Sequence, residues 1–103
     1  MMKIKILESA TEDLKRGYSF YEKISEGLGS YFLDSLFSDI DSLLLYAGIH
    51  SIHFGKYRLL SKRFPFAVYY GIEADSIIIY AVLDCRQDPK KIEKKLLRDN
   101  KEK

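Results

Sequence analysis

Five cations lie within or beside the most strongly strand-forming part of this chain: Lys56, Arg58, Lys62, Arg63 and Arg86. Arginine presents a planar fork that donates two parallel hydrogen bonds to a phosphate or carboxylate, so such a set can grip an anionic target. Arg58 and Lys62 are four residues apart and share a face if both lie on one strand, whereas Arg63 points the other way or caps the edge. Arg86 falls just past the end of a later strand run. Tyr57, Tyr69 and Tyr80 lie on the same runs and offer rings on which bases can stack, although tyrosines at such spacings more often pack core or rim.

The other reactive side chains do not assemble into a catalytic or metal-binding set. His50 and His53 with one distant cysteine match no recognised ligand spacing, so no metal and no cofactor are expected. Cys85 stands between Asp84 and Arg86, and the arginine would lower its pKa, but no histidine follows to act as its base. There is no glycine-rich phosphate loop, and Ser25 to Ser30 merely joins two helices. The residues therefore predict binding and no catalytic assignment.

The charge distribution points the same way. From Glu8 to Asp41 there are eight acids and three bases; from Ser42 to Ile72 there is no acid at all. From Asp84 to the end there are eight bases and five acids. An acidic first half precedes a basic second half, which suggests an anionic partner for the latter. At 103 residues, 47% of them hydrophobic, the chain is expected to form one domain, 1–103, around a single core. No apolar run approaches the roughly 18 residues of a membrane span. The N-terminus MMKIKILES lacks the apolar stretch of a signal peptide, and one cysteine permits no internal disulfide. Together these predict a cytoplasmic protein with no membrane contact.

The elements that would position the cations follow from periodicity. Lys3 to Leu7 alternates as a short strand. Ser9 and Glu12 form an S-x-x-E capping box ahead of a helix with Ala10, Leu14, Tyr18, Tyr21 and Ile24 on one stripe. Gly27 and Gly29 break that helix. A second runs from about Ser30, with Phe32, Leu36, Ile40 and Leu43 on its apolar face and Leu33, Phe37 and Leu44 widening it, until Gly48. Three strand runs follow, at Tyr57 to Arg63, Phe66 to Ile72 and Ser76 to Asp84. Phe66, Val68 and Tyr70 share a face and should line the core. Asp88 and Pro89 read as the N-cap and first residue of a short basic helix, anchored by Ile92 and Leu96 with Leu97 as a further candidate, whose last residues fray. The predicted fold is α+β and two-layered: a helical hairpin on a mostly antiparallel four-stranded sheet, in the order β-α-α-β-β-β with a short C-terminal helix.

Several segments carry a resemblance over nearly the whole chain. A-x-x-D-L at Ala10 to Leu14, Tyr21, LGSYFLDSL at Leu28 to Leu36, RFPFAVYY at Arg63 to Tyr70 and AVLDCRQDP at Ala81 to Pro89 occur in an order that resembles the RelE/ParE superfamily of bacterial type II toxins. The resemblance implies a toxin with the β-α-α-β-β-β fold and a cognate antitoxin whose extended or helical tail wraps and neutralises it.

Two activities are implied within that superfamily. RelE-like members are ribosome-dependent endoribonucleases that cut mRNA, which requires a base, an acid and cations around the phosphorus. Those branches typically place an arginine just before the V-Y strand core, where this chain has Phe66, and a tyrosine or histidine near the C-terminus, where it has Ile92. ParE-like members inhibit DNA gyrase without a catalytic residue of their own, and RFPFAVYY followed by C-R-Q-D-P is closer to that branch. The resemblance thus implies a gyrase-directed toxin, with Lys56, Arg58, Lys62, Arg63 and Arg86 as its target-binding set. The alternatives are an mRNA endoribonuclease acting on the ribosome and a non-toxic relative that binds only the antitoxin.

Overall fold

A computed structural model of the chain describes residues 2–99. In chain order its elements are β1 (Lys3–Ile6), α1 (Glu8–Ile24), α2 (Leu28–Asp41), the single turn α3 (Leu43–Tyr46), β2 (Ile52–His53), β3 (Lys56–Leu60), β4 (Phe66–Glu73), β5 (Ser76–Asp84) and α4 (Pro89–Asp99). The strands form one sheet in the order β1-β5-β4-β3-β2. The expected tail fraying beyond Asp99 lies outside the described residues.

The sheet has five strands, one more than the sequence pattern suggests, and it is mixed. β1 pairs in parallel with β5, Ile4 opposite Ile77 and Ile6 opposite Ile79. A parallel pair needs a long crossover, which here begins with the helical hairpin of α1 and α2. The extra strand, β2, has two residues, paired with β3 as Ile52 to Tyr57 and His53 to Lys56. The turn between them places both Phe54 (φ 56) and Gly55 (φ 80) at positive φ, the geometry of a tight primed hairpin. Phenylalanine is a poor signal for such a turn, and two residues are too few to show alternation.

The core lies between the helical hairpin and one face of the sheet. Leu14, Phe32, Leu36 and Ile40 meet Phe66, Val68, Tyr70, Ile77 and Ile79 there, as the two periodicities require. Phe32 stands edge-on to Phe66 and Phe64, with centroids 4.9 and 5.2 Å away, and stacks on Tyr21 at 5.2 Å. The edges of the predicted stripes are different: Ile24, Phe37 and Leu44 are exposed. Gly27, at φ +89, turns the chain between the helices, but Gly29 lies inside α2. A Cβ there would stand 2.7 Å from the Tyr18 carbonyl oxygen, so Gly29 serves close helix approach and does not break a helix.

The expected capping box at Ser9 does not form. α1 begins two residues earlier, at Glu8, without a side-chain cap, and the Ser9 hydroxyl donates to the Tyr80 carbonyl at 2.9 Å. β1 ends at Ile6, so β5 lacks a strand neighbour beyond Ile79 on that side. Ser9 and Asp13, one turn apart on α1, take the neighbour's place. The Val82 N–H donates to Asp13 Oδ2 at 3.0 Å, and buried backbone groups are satisfied by side chains.

α4 covers part of the opposite sheet face, making a local third layer. Ile92 and Leu96 bury against Ala67, Tyr69, Ala81 and Leu83, while Leu97 stays exposed. Asp88 caps the helix as its sequence suggests, its Oδ1 accepting from the Lys90 N–H at 3.0 Å. Among the described residues no helix is long and apolar enough to cross a membrane.

Candidate functional site

The five strand-associated cations do not form one cluster. Lys56 and Arg58 lie on the α4 side of β3, because Arg58 is opposite Tyr69 and Tyr69 packs beneath α4. Lys56 places its Nζ 4.5 Å from the centre of the Tyr80 ring, an attraction of cation and π-face. Gly71 leaves room for that ring, since a Cβ there would lie 3.1 Å from Tyr80 Cε2. Burial raises the Tyr69 phenol pKa, and hydrogen bonding to Arg58 partly opposes the shift. The Arg58 Nε is buried with no hydrogen-bond partner.

Lys62 does not share a strand face with Arg58. β3 ends at Leu60, and Lys62 and Arg63 stand exposed in the connection to β4, which is closed by the Ser61 N–H donating to the Phe66 carbonyl at 2.9 Å. Arg86 is on the other side of the sheet. Its Nε and Nη2 donate to the two oxygens of Asp84 at 3.0 and 2.7 Å, and this fork holds the Asp84 carboxyl below the ordinary carboxylate range. Tyr21 is also within its reach, and burial raises that phenol's pKa against the pull of Arg86.

A second cationic surface lies on α4, where the sequence reading assigned a basic helix but no site. Lys91, Lys94, Lys95 and Arg98 recur at spacings of three and four, so they occupy one face, while Ile92 and Leu96 turn toward the sheet. Lys91, Lys94, Lys95 and Arg98 line a groove of about 430 Å³ with Gln87. An adjoining cleft of about 400 Å³ runs between α1, the end of β5 and α4, with Arg16, Phe20 and Phe66 among its walls. The signal was present in the tail composition. It needed the anchoring of Ile92 and Leu96 to show which way the lysines face.

Asp13 ties these elements together. Buried in the cleft wall, it accepts from the Val82 N–H, from Lys95 Nζ at 3.2 Å and from Arg16 Nη2. Burial raises its pKa, and the Val82 N–H, Lys95 and Arg16 each oppose that rise.

The histidines and the cysteine lie elsewhere. His50 Nδ1 is hydrogen-bonded to the Tyr70 hydroxyl, which also accepts from the Gly48 N–H at 2.9 Å. Burial lowers the His50 pKa. In the tautomer protonated at Nε2, Nδ1 accepts a hydrogen bond from the phenol, and the contact occupies His50 in a structural role. His53 contacts Ser51 at 3.0 Å. For Cys85 burial is the larger influence and raises the thiol pKa, so the expected lowering by Arg86 is outweighed. Among the described residues no group of three or more His, Cys, Asp or Glu side chains could hold a metal ion.

An apolar groove of about 450 Å³ separates the helical hairpin from β1, walled by Ile6, Leu14, Tyr18, Leu33 and Phe37 among others. Further exposed apolar side chains, including Leu45, Ile49 and Ile52, surround the short β2 edge.

The helical hairpin on its sheet is the α+β fold that the resemblance implies, with the short β2 as a fifth strand and α4 behind the sheet. A solved structure of the chromosomal ParDE TA system from P. aeruginosa includes a chain that matches this one with a TM-score of 0.72 and 23% identity, over 80% of this chain and 94% of that chain. No family model and no curated protein matches the sequence.

Proposed function

We propose that this chain is a single-domain toxin of a type II toxin–antitoxin module, of the ParE-like branch, which acts in the cytoplasm by inhibiting DNA gyrase. The observation that carries the gyrase-directed reading is the fate of the two nuclease positions within a fold shared with a ParDE system. Phe66 packs in the aromatic core and Ile92 is the buried anchor of α4, so both positions serve packing. His50, one of the two histidines that could serve as a base, is committed to Tyr70. These features favour binding over RNA cleavage.

A cognate antitoxin is the other partner. The groove between the hairpin and β1 offers an apolar segment a seat with a free strand edge alongside, which suits helix-in-groove docking or strand addition. Lys56, Arg58, Lys62, Arg63 and Arg86 remain the proposed target-binding set. Lys62, Arg63 and Arg86 are its exposed members, and Arg86 reaches a target only by sharing or leaving Asp84. The test is induced expression without an antitoxin, with separate readouts for DNA damage and mRNA cleavage.

A further inference from the structure

The basic face of α4 has a feature that separates it from a protein-docking surface. The groove is lined by Gln87, Lys91, Lys94, Lys95 and Arg98, and the exposed apolar side chains Phe20 and Leu97 stand only at its borders. An acidic amphipathic helix would need an apolar floor for its own stripe, and the chain offers that elsewhere, between the hairpin and β1. A polyanion without an apolar stripe has no such need. The nearby carboxylates do not neutralise the surface: Asp13 is held by the Val82 N–H, Lys95 and Arg16, Asp84 by Arg86, and Glu93 stands among Lys90, Lys91 and Lys94.

We propose that this face of α4 is a seat for a nucleic-acid backbone, on which Lys91, Lys94 and Arg98 contact successive phosphodiester groups while Lys95 stays tied to Asp13. From Lys91 to Arg98 the helix rises about 10 Å, at about 1.5 Å per residue. That rise spans about three nucleotide steps of one strand of a duplex, at about 3.4 Å each, so the three side chains lie along a run of about four phosphates. Phe20 lies in the adjoining cleft beside Arg16 and Arg98, more than half exposed, where it can meet an unpaired base. The contacts are to phosphate and carry no sequence preference. This inference does not depend on the toxin assignment, since binding is measured on the chain without gyrase or antitoxin.

The experiment titrates the full chain against a short mixed-sequence DNA duplex, an RNA hairpin and polyglutamate, each at several salt concentrations. Three phosphate contacts give a log–log salt slope of about −2.7 for DNA, or about a 40-fold loss of affinity between about 50 and 200 mM salt. The double variant Lys91→Gln/Lys94→Gln should reduce the slope to about −0.9. The control Lys15→Gln/Lys23→Gln, which removes equal charge from α1, should leave it unchanged. Both lysines on α4 are exposed, so the variant keeps its fold, and circular dichroism checks this. Tighter binding of DNA or of RNA assigns the source of the phosphates. The proposal is overturned by no binding at about 50 mM salt, by equal slopes for the α4 variant and wild type, by an equal drop in the control, or by polyglutamate binding as tightly as nucleic acid.

Discussion

Two residues show how single side chains hold this fold and fix its response to pH. Asp13 links α1 to the exposed edge of β5 and to Lys95 of α4, and two substitutions separate these roles. Asp13→Ala leaves the Val82 N–H without an acceptor in a buried place, which costs about 1–3 kcal/mol. Asp13→Asn keeps an oxygen for that N–H and loses only the attraction to Lys95 and Arg16, so it should cost less. Melting temperature reads the difference, at about 4–8 °C per kcal/mol for a small domain. Equal losses would show that the charge matters and the backbone bond does not. His50 gives the pH prediction. Its folded pKa is depressed by burial, so the unfolded chain binds the proton more readily. Stability linked to His50 is present above the ordinary histidine value and is lost as pH falls through the lower folded one. Protonation also turns Nδ1 into a donor and strands the Tyr70 hydroxyl proton. Wild type should therefore lose more melting temperature than His50→Gln as pH drops below about 6.5. Asp13, with its raised pKa, contributes with the opposite sign, its stability falling as pH rises above the ordinary aspartate value, and it does so in both proteins. Parallel pH profiles would remove His50 as the cause.

At the scale of elements, α1 and α2 approach closely because Gly17 lies against the Phe32 ring. A Cβ on Gly17 would fall well inside contact distance of that ring. Phe32 is fully buried among Tyr21, Phe64 and Phe66 and has no open side to move into. Gly17→Ala should thus destabilise through overpacking, by about 1–3 kcal/mol. That exceeds the gain of up to about 1 kcal/mol from better helix propensity. A raised melting temperature would contradict the tight packing. The same elements show what periodicity could and could not reveal. The stripes of α1 and α2 and the span of β5 were legible because burial on one face imposes a period of 3.6 or 2. β2 was not, being two residues around an unusual turn. Nor was the parallel pairing of β1, which depends on a crossover and not on local pattern. Ser9 misled because an S-x-x-E run serves a cap or a sheet edge equally well, and only the length of β1 decides. The site was less legible than the fold. Alternation placed Lys56 and Arg58 on β3, but the strand ends before Lys62, and the Asp84 fork on Arg86 depends on how the turn after β5 folds back.

Over the whole molecule, two kinds of surface lie on different sides of one small core. The groove between the helical hairpin and β1 is apolar and flanked by a strand edge, whereas α4 and the β3–β4 connection present cations. A chain that must be neutralised by one partner and must engage another needs such a division, and the proposed toxin has it. The most direct measurement is induced expression of the chain alone in a bacterium, with growth, a DNA-damage reporter and mRNA integrity on ribosomes followed together. The account predicts growth arrest with filamentation and a DNA-damage response while bulk mRNA stays intact, relieved by co-expression of a cognate antitoxin. Discrete cuts within codons of translated mRNA, or undisturbed growth at high expression, would contradict it.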